Sequence, residues 1–183
     1  MTTVLNDLDY VKEHIRIVPD FPKKGIMFLD ITTAVKDAKA LHIMTNFLYE
    51  KFKTEHVDYV AGIESRGFIF GTALAYKLGV GFIPIRKPNK LPAKTISESY
   101  ELEYGSDTIE MHEDAIKKGD RVVVIDDLLA TGGTAVAACN LIRKAGGEVV
   151  STAFIIELDP LKGREKIEGK GVKVVSMLHY DLD

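Results

Sequence analysis

The segment Arg121–Thr134, RVVVIDDLLATGGT, limits the possible folds of this chain more than any other part of the sequence. Its four consecutive β-branched apolar residues, Val122–Ile125, predict a strand that is buried on both faces. Two aspartates follow where we expect the strand to end, and a loop of small residues leads from them into a helix. A buried strand joined to a helix by a glycine-rich loop is typical of α/β proteins.

Apolar runs and helical patterns alternate along most of the chain. The predicted strands are apolar along their whole length: Tyr59–Ile63, Gly81–Arg86, Arg121–Ile125, Val149–Glu157 and Lys173–Leu178. The predicted helices lie mostly between them: Asp7–Ile15, Asp37–Lys53, Gly67–Leu78, Thr134–Lys144 and Leu161–Ile167. This pattern predicts an α/β fold with a central, mostly parallel sheet and helices on both faces. Ligands of such sheets bind beyond the carboxyl ends of the strands.

Two segments interrupt the alternation, although 183 residues fit a single domain spanning 1–183. The segment Pro19–Thr33 contains prolines and glycine, so we expect it to be irregular and part of a small N-terminal hood, residues 1–33. The second is Lys87–Glu113, a long connection whose later residues alternate in polarity. We expect a flexible lid there, residues 87–113, which contains two antiparallel strands.

Composition narrows the class of protein. The formal net charge is −3, which argues against a nucleic-acid partner, because nucleic-acid binders normally carry a basic face. Cys139 is the only cysteine, so no internal disulfide can form and a reducing compartment is expected. The N-terminus lacks the pattern of a signal peptide, and no apolar run approaches the roughly 20 residues that span a bilayer. We therefore expect a soluble, cytoplasmic protein with no membrane partner.

The residues after the central strand suit a phosphorylated sugar. Two adjacent carboxylates, Asp126 and Asp127, can accept hydrogen bonds from the neighbouring hydroxyls of a ribose. Small residues in Ala130–Thr134 allow a phosphate to approach the backbone, and the following helix start offers free N–H groups. The chain contains neither the Gly-Lys-Ser/Thr of a P-loop nor a G-x-G-x-x-G dinucleotide motif.

A second anion site is expected after the strand Tyr59–Ile63. Glu64, Ser65 and Arg66 follow that strand and precede a predicted helix. The guanidinium of Arg66 is a forked donor, and free backbone N–H groups lie beside it.

The segment 121–134 resembles the phosphoribosyl-pyrophosphate (PRPP) motif of type I phosphoribosyltransferases. Further segments extend the resemblance to the adenine phosphoribosyltransferase family along nearly the whole chain: ESRGF, FPKKGIMFLDITT, RKPNKLP and YELEYG. The resemblance implies the type I phosphoribosyltransferase fold, a homodimer, and purine salvage in which adenine and PRPP give AMP and diphosphate. It also implies Mg²⁺ as cofactor, held mainly by PRPP and water and not by a metal site of the protein.

The resemblance assigns roles to named residues. Those that bind PRPP are Asp126 and Asp127 at the ribose, Ala130, Thr131, Gly132, Gly133 and Thr134 at the 5′-phosphate, and Arg66 with the backbone of Glu64 and Ser65 at the pyrophosphate. Lys87 would offset charge on the leaving group, and a cis peptide bond is expected between Glu64 and Ser65. Arg86 or Lys87 would reach the active site of the neighbouring subunit.

The resemblance places the base at Met27–Leu29. Phe28 would stack on adenine, while the backbones of Met27 and Leu29 would bind its edge. Leu29 stands where an arginine is frequent in the family, and because that contact uses the main chain we expect adenine recognition to survive. Glu103 is the candidate catalytic acid or base near purine N7, and Tyr104 would close over the site.

Four other interpretations of the residues remain open. Phe28 could be a core residue, and Glu103 and Tyr104 could be ordinary residues of an exposed hairpin. The base could be a 6-oxopurine or orotate, since Lys23 and Lys24 lie in the base segment. The chain could also be a PRPP-sensing regulator that binds nucleic acid, although its charge and length provide little for such a role.

Overall fold

The computed structural model of the chain describes residues 2–101 and 105–182, with the backbone alone for residues 2–6. Its helices are α1 (Thr2–His14), α2 (Thr32–Lys36), α3 (Ala38–Phe52), α4 (Gly67–Leu78), α5 (Gly133–Lys144) and α6 (Gly163–Glu168). Its strands are β1 (Arg16–Val18), β2 (Phe28–Asp30), β3 (Tyr59–Ile63), β4 (Gly81–Ile85), β5 (Thr95–Glu101), β6 (Ser106–His112), β7 (Arg121–Leu129), β8 (Glu148–Leu158) and β9 (Lys173–Tyr180).

Five parallel strands form the central sheet, in the order β4-β3-β7-β8-β9. Successive side chains of β7 point to opposite faces, and both sets are apolar. Val123 and Ile125 therefore join a core with α1, α3 and α4 on one face. Val122 and Val124 join a second core with α5 and α6 on the other. The predicted α/β sheet with helices on both faces is confirmed.

The two connections β3–α4 and β7–α5 are short and lie at the same edge of the sheet. β3 ends at Ile63 and α4 begins at Gly67, while β7 ends at Leu129 and α5 begins at Gly133. Because adjacent parallel strands end at one edge, the two loops lie side by side. This edge is where a ligand is expected.

The structure corrects two sequence predictions. β7 continues to Leu129 and does not end before Asp126, because β8 still pairs with it there while the register with β3 stops at Ile125. The segment Pro19–Thr33 is not wholly irregular, because Phe28–Asp30 forms an antiparallel ladder with Arg16–Val18. This short ladder was not predictable, since three-residue strands are too brief to show a period.

The antiparallel pair expected in the lid segment is confirmed, since Thr95–Glu101 pairs with Ser106–His112. None of the helices in the described residues combines the length and apolarity that crossing a membrane requires.

Candidate active site

The predicted phosphate and ribose residues line one cavity of about 210 Å³ at the carboxyl edge of the sheet. Its lining residues come from the start of α4, the end of β7, the loop to α5, the start of α5, and β8: Arg66, Asp126, Asp127, Leu128, Leu129, Ala130, Thr131, Gly132, Gly133, Thr134, Ala135 and Phe154. The structure thus brings together Arg66 and the whole Asp126–Thr134 segment, which are separated by 60 residues in the chain.

The start of α5 is open toward an anion. Gly132 precedes the helix in a left-handed conformation, with φ of 76°, which a glycine adopts without strain. No side chain caps this helix end. The first backbone N–H groups of α5 therefore remain available, as the binding of a phosphate requires.

Arg66 holds one of the two aspartates. Its Nε lies 2.8 Å from Oδ2 of Asp127, whose side chain is buried. The backbone N–H of Asp127 donates to Oδ1 of Asp126 over 2.9 Å. Burial raises the pKa of both carboxyl groups; the charge of Asp127 raises that of Asp126 further, and Arg66 opposes the rise at Asp127.

A close approach of α4 to β7 brings Arg66 beside the aspartates. A Cβ at Gly67 would lie 2.6 Å from the carbonyl oxygen of Ile125 and 3.1 Å from Oδ1 of Asp126. Only glycine therefore permits the observed distance between the two loops. The peptide bond between Glu64 and Ser65 is cis, as expected.

An aromatic cavity of about 410 Å³ adjoins the first one and shares Arg66 with it. The guanidinium carbon of Arg66 lies 5.5 Å from the centre of the Phe28 ring, which packs edge-on against Phe21 at 5.0 Å. Phe28 is half-buried, so its ring is not a core residue alone. Met27 is 40% exposed, whereas the Leu29 side chain is only 3% exposed and points into the core.

Sequence reasoning missed several residues of this aromatic cavity, namely Val18, Phe21, Asp30 and Thr32. Hydrogen bonds from Thr32 and then from Arg16 lower the pKa of Asp30 to about 2. The charged Asp30 thus anchors Thr32 at the cavity wall. The two strands that assemble this wall are too short to recognise, so no periodic signal could have identified these residues.

Other predicted site residues lie outside the two cavities. The Glu64 carboxylate accepts both forked N–H groups of Arg86, at 3.1 and 3.0 Å, and the backbone N–H of Lys87 at 3.0 Å. The Lys87 ammonium forms an ion pair with Asp107 in β6. Glu103 and Tyr104 lie outside the described residues, so their roles stay predictions.

The cavity offers limited ligation for Mg²⁺. The carboxylates of Asp126 and Asp127 are hard oxygen donors of the kind Mg²⁺ prefers, but Asp127 is already paired with Arg66. This donor set fits a metal ion whose remaining ligands come from substrate oxygens and water. Among the residues that the structure describes, one group has metal-ligand spacing, namely Glu157, Asp159 and His179. The carboxylate of Glu157 is already paired with Arg164.

The chain is similar to known proteins over nearly its whole length. Residues 32–180 match the family model described as "Phosphoribosyl transferase domain". An adenine phosphoribosyltransferase of Koribacter versatilis is 54% identical, over 94% of either chain. Solved structures of the enzymes from Thermoanaerobacter pseudethanolicus and Saccharomyces cerevisiae align with TM-scores of 0.91 and 0.88, at 50% and 38% identity. The two alignments cover 94% and 95% of this chain, respectively, and 99% of the chain of each solved structure.

The yeast structure contains adenine together with an imino-altritol bisphosphate. The matched family model and the relatives at about half identity show that the chain belongs to the adenine phosphoribosyltransferase family of pentosyltransferases.

Proposed function

We propose that this chain transfers the phosphoribosyl group of PRPP to adenine, giving AMP and diphosphate, as in purine salvage. One observation carries the proposal: Arg66 lines both the cavity of the phosphate loop and aspartates and the cavity of Phe28. A base in one cavity and a phosphorylated sugar in the other would meet beside a single cation. This is the arrangement that exchange of a pyrophosphate for a base requires.

Each part of PRPP has a candidate partner. The 5′-phosphate binds the backbone N–H groups of Ala130–Thr134 at the start of α5. The ribose hydroxyls donate to Asp126 and Asp127. When they do, Asp127 exchanges its contact with Arg66 for a contact with the sugar, and Arg66 becomes available to the pyrophosphate.

The chemistry follows from where charge develops. Adenine that carries its imidazole proton on N7 forms a bond from N9 to ribose C1′ as the bond from C1′ to the pyrophosphate oxygen breaks. The electron pair of that bond leaves with diphosphate, and the N7 proton passes to Glu103. Arg66 offsets the negative charge that grows on this leaving group. Mg²⁺ bound to PRPP supplies further charge compensation there. The ring of Phe28 holds the base by stacking, and the backbones of Met27 and Leu29 bind its edge.

The substrate assignment is tested by offering the protein PRPP and Mg²⁺ with adenine, hypoxanthine, guanine or orotate in separate reactions. We expect AMP formation from adenine at a rate well above the others, measured by chromatography of the nucleotides. A preference for hypoxanthine or guanine would contradict the adenine assignment. Nucleotide formation from none of the four bases would contradict the transferase proposal.

AMP affinity is expected to fall as the pH is lowered through the raised pKa of Asp126, because the ribose hydroxyls donate to the ionised carboxylate. Asp126→Asn removes one of the two carboxyl groups with a raised pKa and leaves Asp127, so it should make the dependence shallower. Calorimetric titrations from about pH 5 to pH 9 would compare the two proteins. The phosphate of AMP titrates near pH 6, but it contributes equally to both. Parallel curves for the two proteins would rule out Asp126 as the titrating group.

Glu103→Ala is expected to lower kcat far more than it weakens PRPP binding, because Glu103 is proposed to exchange a proton at purine N7. General acid–base catalysis contributes about 10²- to 10⁴-fold, which sets the expected loss. Steady-state kinetics with Glu103→Gln as the matched variant would check it. An unchanged kcat would remove Glu103 from the mechanism.

We further propose a homodimer in which Arg86 or Lys87 serves the neighbouring active site. Tyr76 is 87% exposed on α4, and Ile69 on the same helix face is 37% exposed. Such an apolar helix face is a candidate subunit contact.

Tyr104 and the lid, residues 87–113, would close over the base. The cytoplasmic location stays a prediction.

Mixing inactive Arg66→Ala and Lys87→Ala proteins is expected to restore activity if Lys87 acts across the dimer, since one site of each heterodimer regains both cations. The proteins would be mixed under subunit-exchange conditions and assayed for AMP formation. A mixture of Arg66→Ala with Asp127→Asn is the control, because those two residues belong to the same cavity. Equal activity of the two mixtures would contradict the shared site.

A further inference from the structure

The outer side of the phosphate loop rests on the first residue of α6. A Cβ at Gly163 would lie 3.0 Å from the amide nitrogen of Gly132 and 2.7 Å from Cδ1 of Leu129, and it would collide with the carbonyl oxygen of Ala130. A Cβ at Gly132 would in turn lie 2.7 Å from the carbonyl oxygen of Gly163. The two glycines therefore bring the backbones of the loop and of α6 into direct contact.

Arg164, the next residue, secures α6 in this position. Its Nε and Nη2 donate to the two carboxylate oxygens of Glu157, at 3.0 and 2.5 Å. Its Nη1 donates to the carbonyl oxygen of Val174 at 2.9 Å. The Glu157 side chain is buried and that of Arg164 is 31% exposed, and the two parallel contacts make this forked ion pair geometrically specific.

Glu157, which accepts both hydrogen bonds from Arg164, lies beside the phosphate loop. Glu157 in β8 is the register partner of Leu129, the last residue of β7, and Ala130 begins the loop. One short path therefore runs from Glu157 through Arg164 and Gly163 to the backbone at Gly132. Glu157, Gly163 and Arg164 do not line the cavity.

We propose that Gly163, Arg164 and Glu157 are positioning residues for the 5′-phosphate, which hold the loop backbone in the conformation that binds it. The proposal rests on the proposed function, because it assigns the 5′-phosphate to Ala130–Thr134. A phosphate loop binds through several N–H groups at once, so its affinity depends on their common orientation. Gly163, Arg164 and Glu157, which we call the brace, supply that orientation from outside the site, without touching the ligand.

The test compares AMP with adenosine, which differ by the 5′-phosphate alone. The ratio of their dissociation constants, measured by calorimetry or competition, reports the contribution of the phosphate loop. Gly163→Ala is expected to reduce this preference for AMP by about tenfold or more, while leaving adenosine affinity nearly unchanged. Gly169→Ala is the matched control in the same segment, because its Cβ would meet only the carbonyl oxygen of Glu165 closely, at 3.1 Å.

A second variant covers the case in which Gly163→Ala does not fold. Arg164→Lys keeps the positive charge but loses the fork, and it is expected to reduce the preference for AMP severalfold with adenosine affinity retained. An unchanged preference in a folded Gly163→Ala protein, or in Arg164→Lys if that variant alone folds, would overturn the brace. Equal weakening of both ligands would overturn it as well. A wild-type protein with no preference for AMP would instead overturn the assignment of the phosphate loop and with it the proposed function.

Discussion

Replacing Arg66 by methionine is expected to lower kcat/KM for PRPP by roughly 10²- to 10³-fold, the loss typical of removing one preorganised donor to a developing charge. Methionine has a similar length, so the wall between the two cavities stays filled. What disappears is the cation beside Asp127 and over the Phe28 ring. Because the leaving group gains charge only as its bond breaks, the loss should fall on kcat as well as on PRPP binding.

The same variant is expected to change the pH dependence in a defined direction. Arg66 opposes the rise in the Asp127 pKa that burial causes. Without it the Asp127 pKa rises further, so the carboxylate is protonated up to a higher pH and binds the ribose hydroxyls less well. The pH below which PRPP affinity is lost should therefore move upward, which pH-dependent kinetics would measure.

Arg66→Lys is the matched control, because it keeps the charge and loses the fork. Its kcat/KM should lie between those of the wild type and Arg66→Met. If Arg66→Met retained activity within about threefold of the wild type, well below a single-donor loss, Arg66 would have no part in stabilising the leaving group.

The sequence allowed the sheet and the phosphoribosyl half of the site to be predicted because both depend on short, local signals. The run Val122–Ile125 indicates a buried strand, and the small residues of Ala130–Thr134 indicate a loop that a phosphate can approach. Because parallel strands end at one edge, Arg66 was expected near the same ligand. The structure brings Arg66 and the loop Ala130–Thr134 into a single cavity.

The base cavity was less predictable because its wall is assembled from a ladder of two three-residue strands. Val18 and Phe28 are register partners in that ladder, and Phe21 lies in the connection between its strands. Such a pairing leaves no period in the sequence. The brace was missed for a similar reason, since Gly163 acts only through its distance from Gly132 in the folded chain.

Gly67→Ala is expected to reduce kcat/KM by on the order of 10²-fold, because the added methyl group displaces the neighbouring Arg66. The added methyl would lie 2.6 Å from the carbonyl oxygen of Ile125, which is held in the β7 ladder and cannot move without disturbing the sheet. The start of α4 must therefore move away from β7. Arg66, which directly precedes Gly67, then moves away from Asp127, and a shift of about 1 Å is enough for a loss of this size.

Gly71→Ala is the matched control for this change, since it adds the same methyl one turn further along α4. Its Cβ would meet Cε2 of the Phe82 ring at 2.8 Å, whereas the nearest backbone atom of the sheet, Cα of Gly62, lies at an ordinary contact distance of 3.5 Å. Both variants should lower the free energy of unfolding by about 1–3 kcal/mol, as overpacking does. Only Gly67→Ala should lose activity in proportion to the misplacement of Arg66. Equal losses of activity in two equally destabilised variants would mean that the distance between the two loops does not limit catalysis, and that Gly67 serves packing alone.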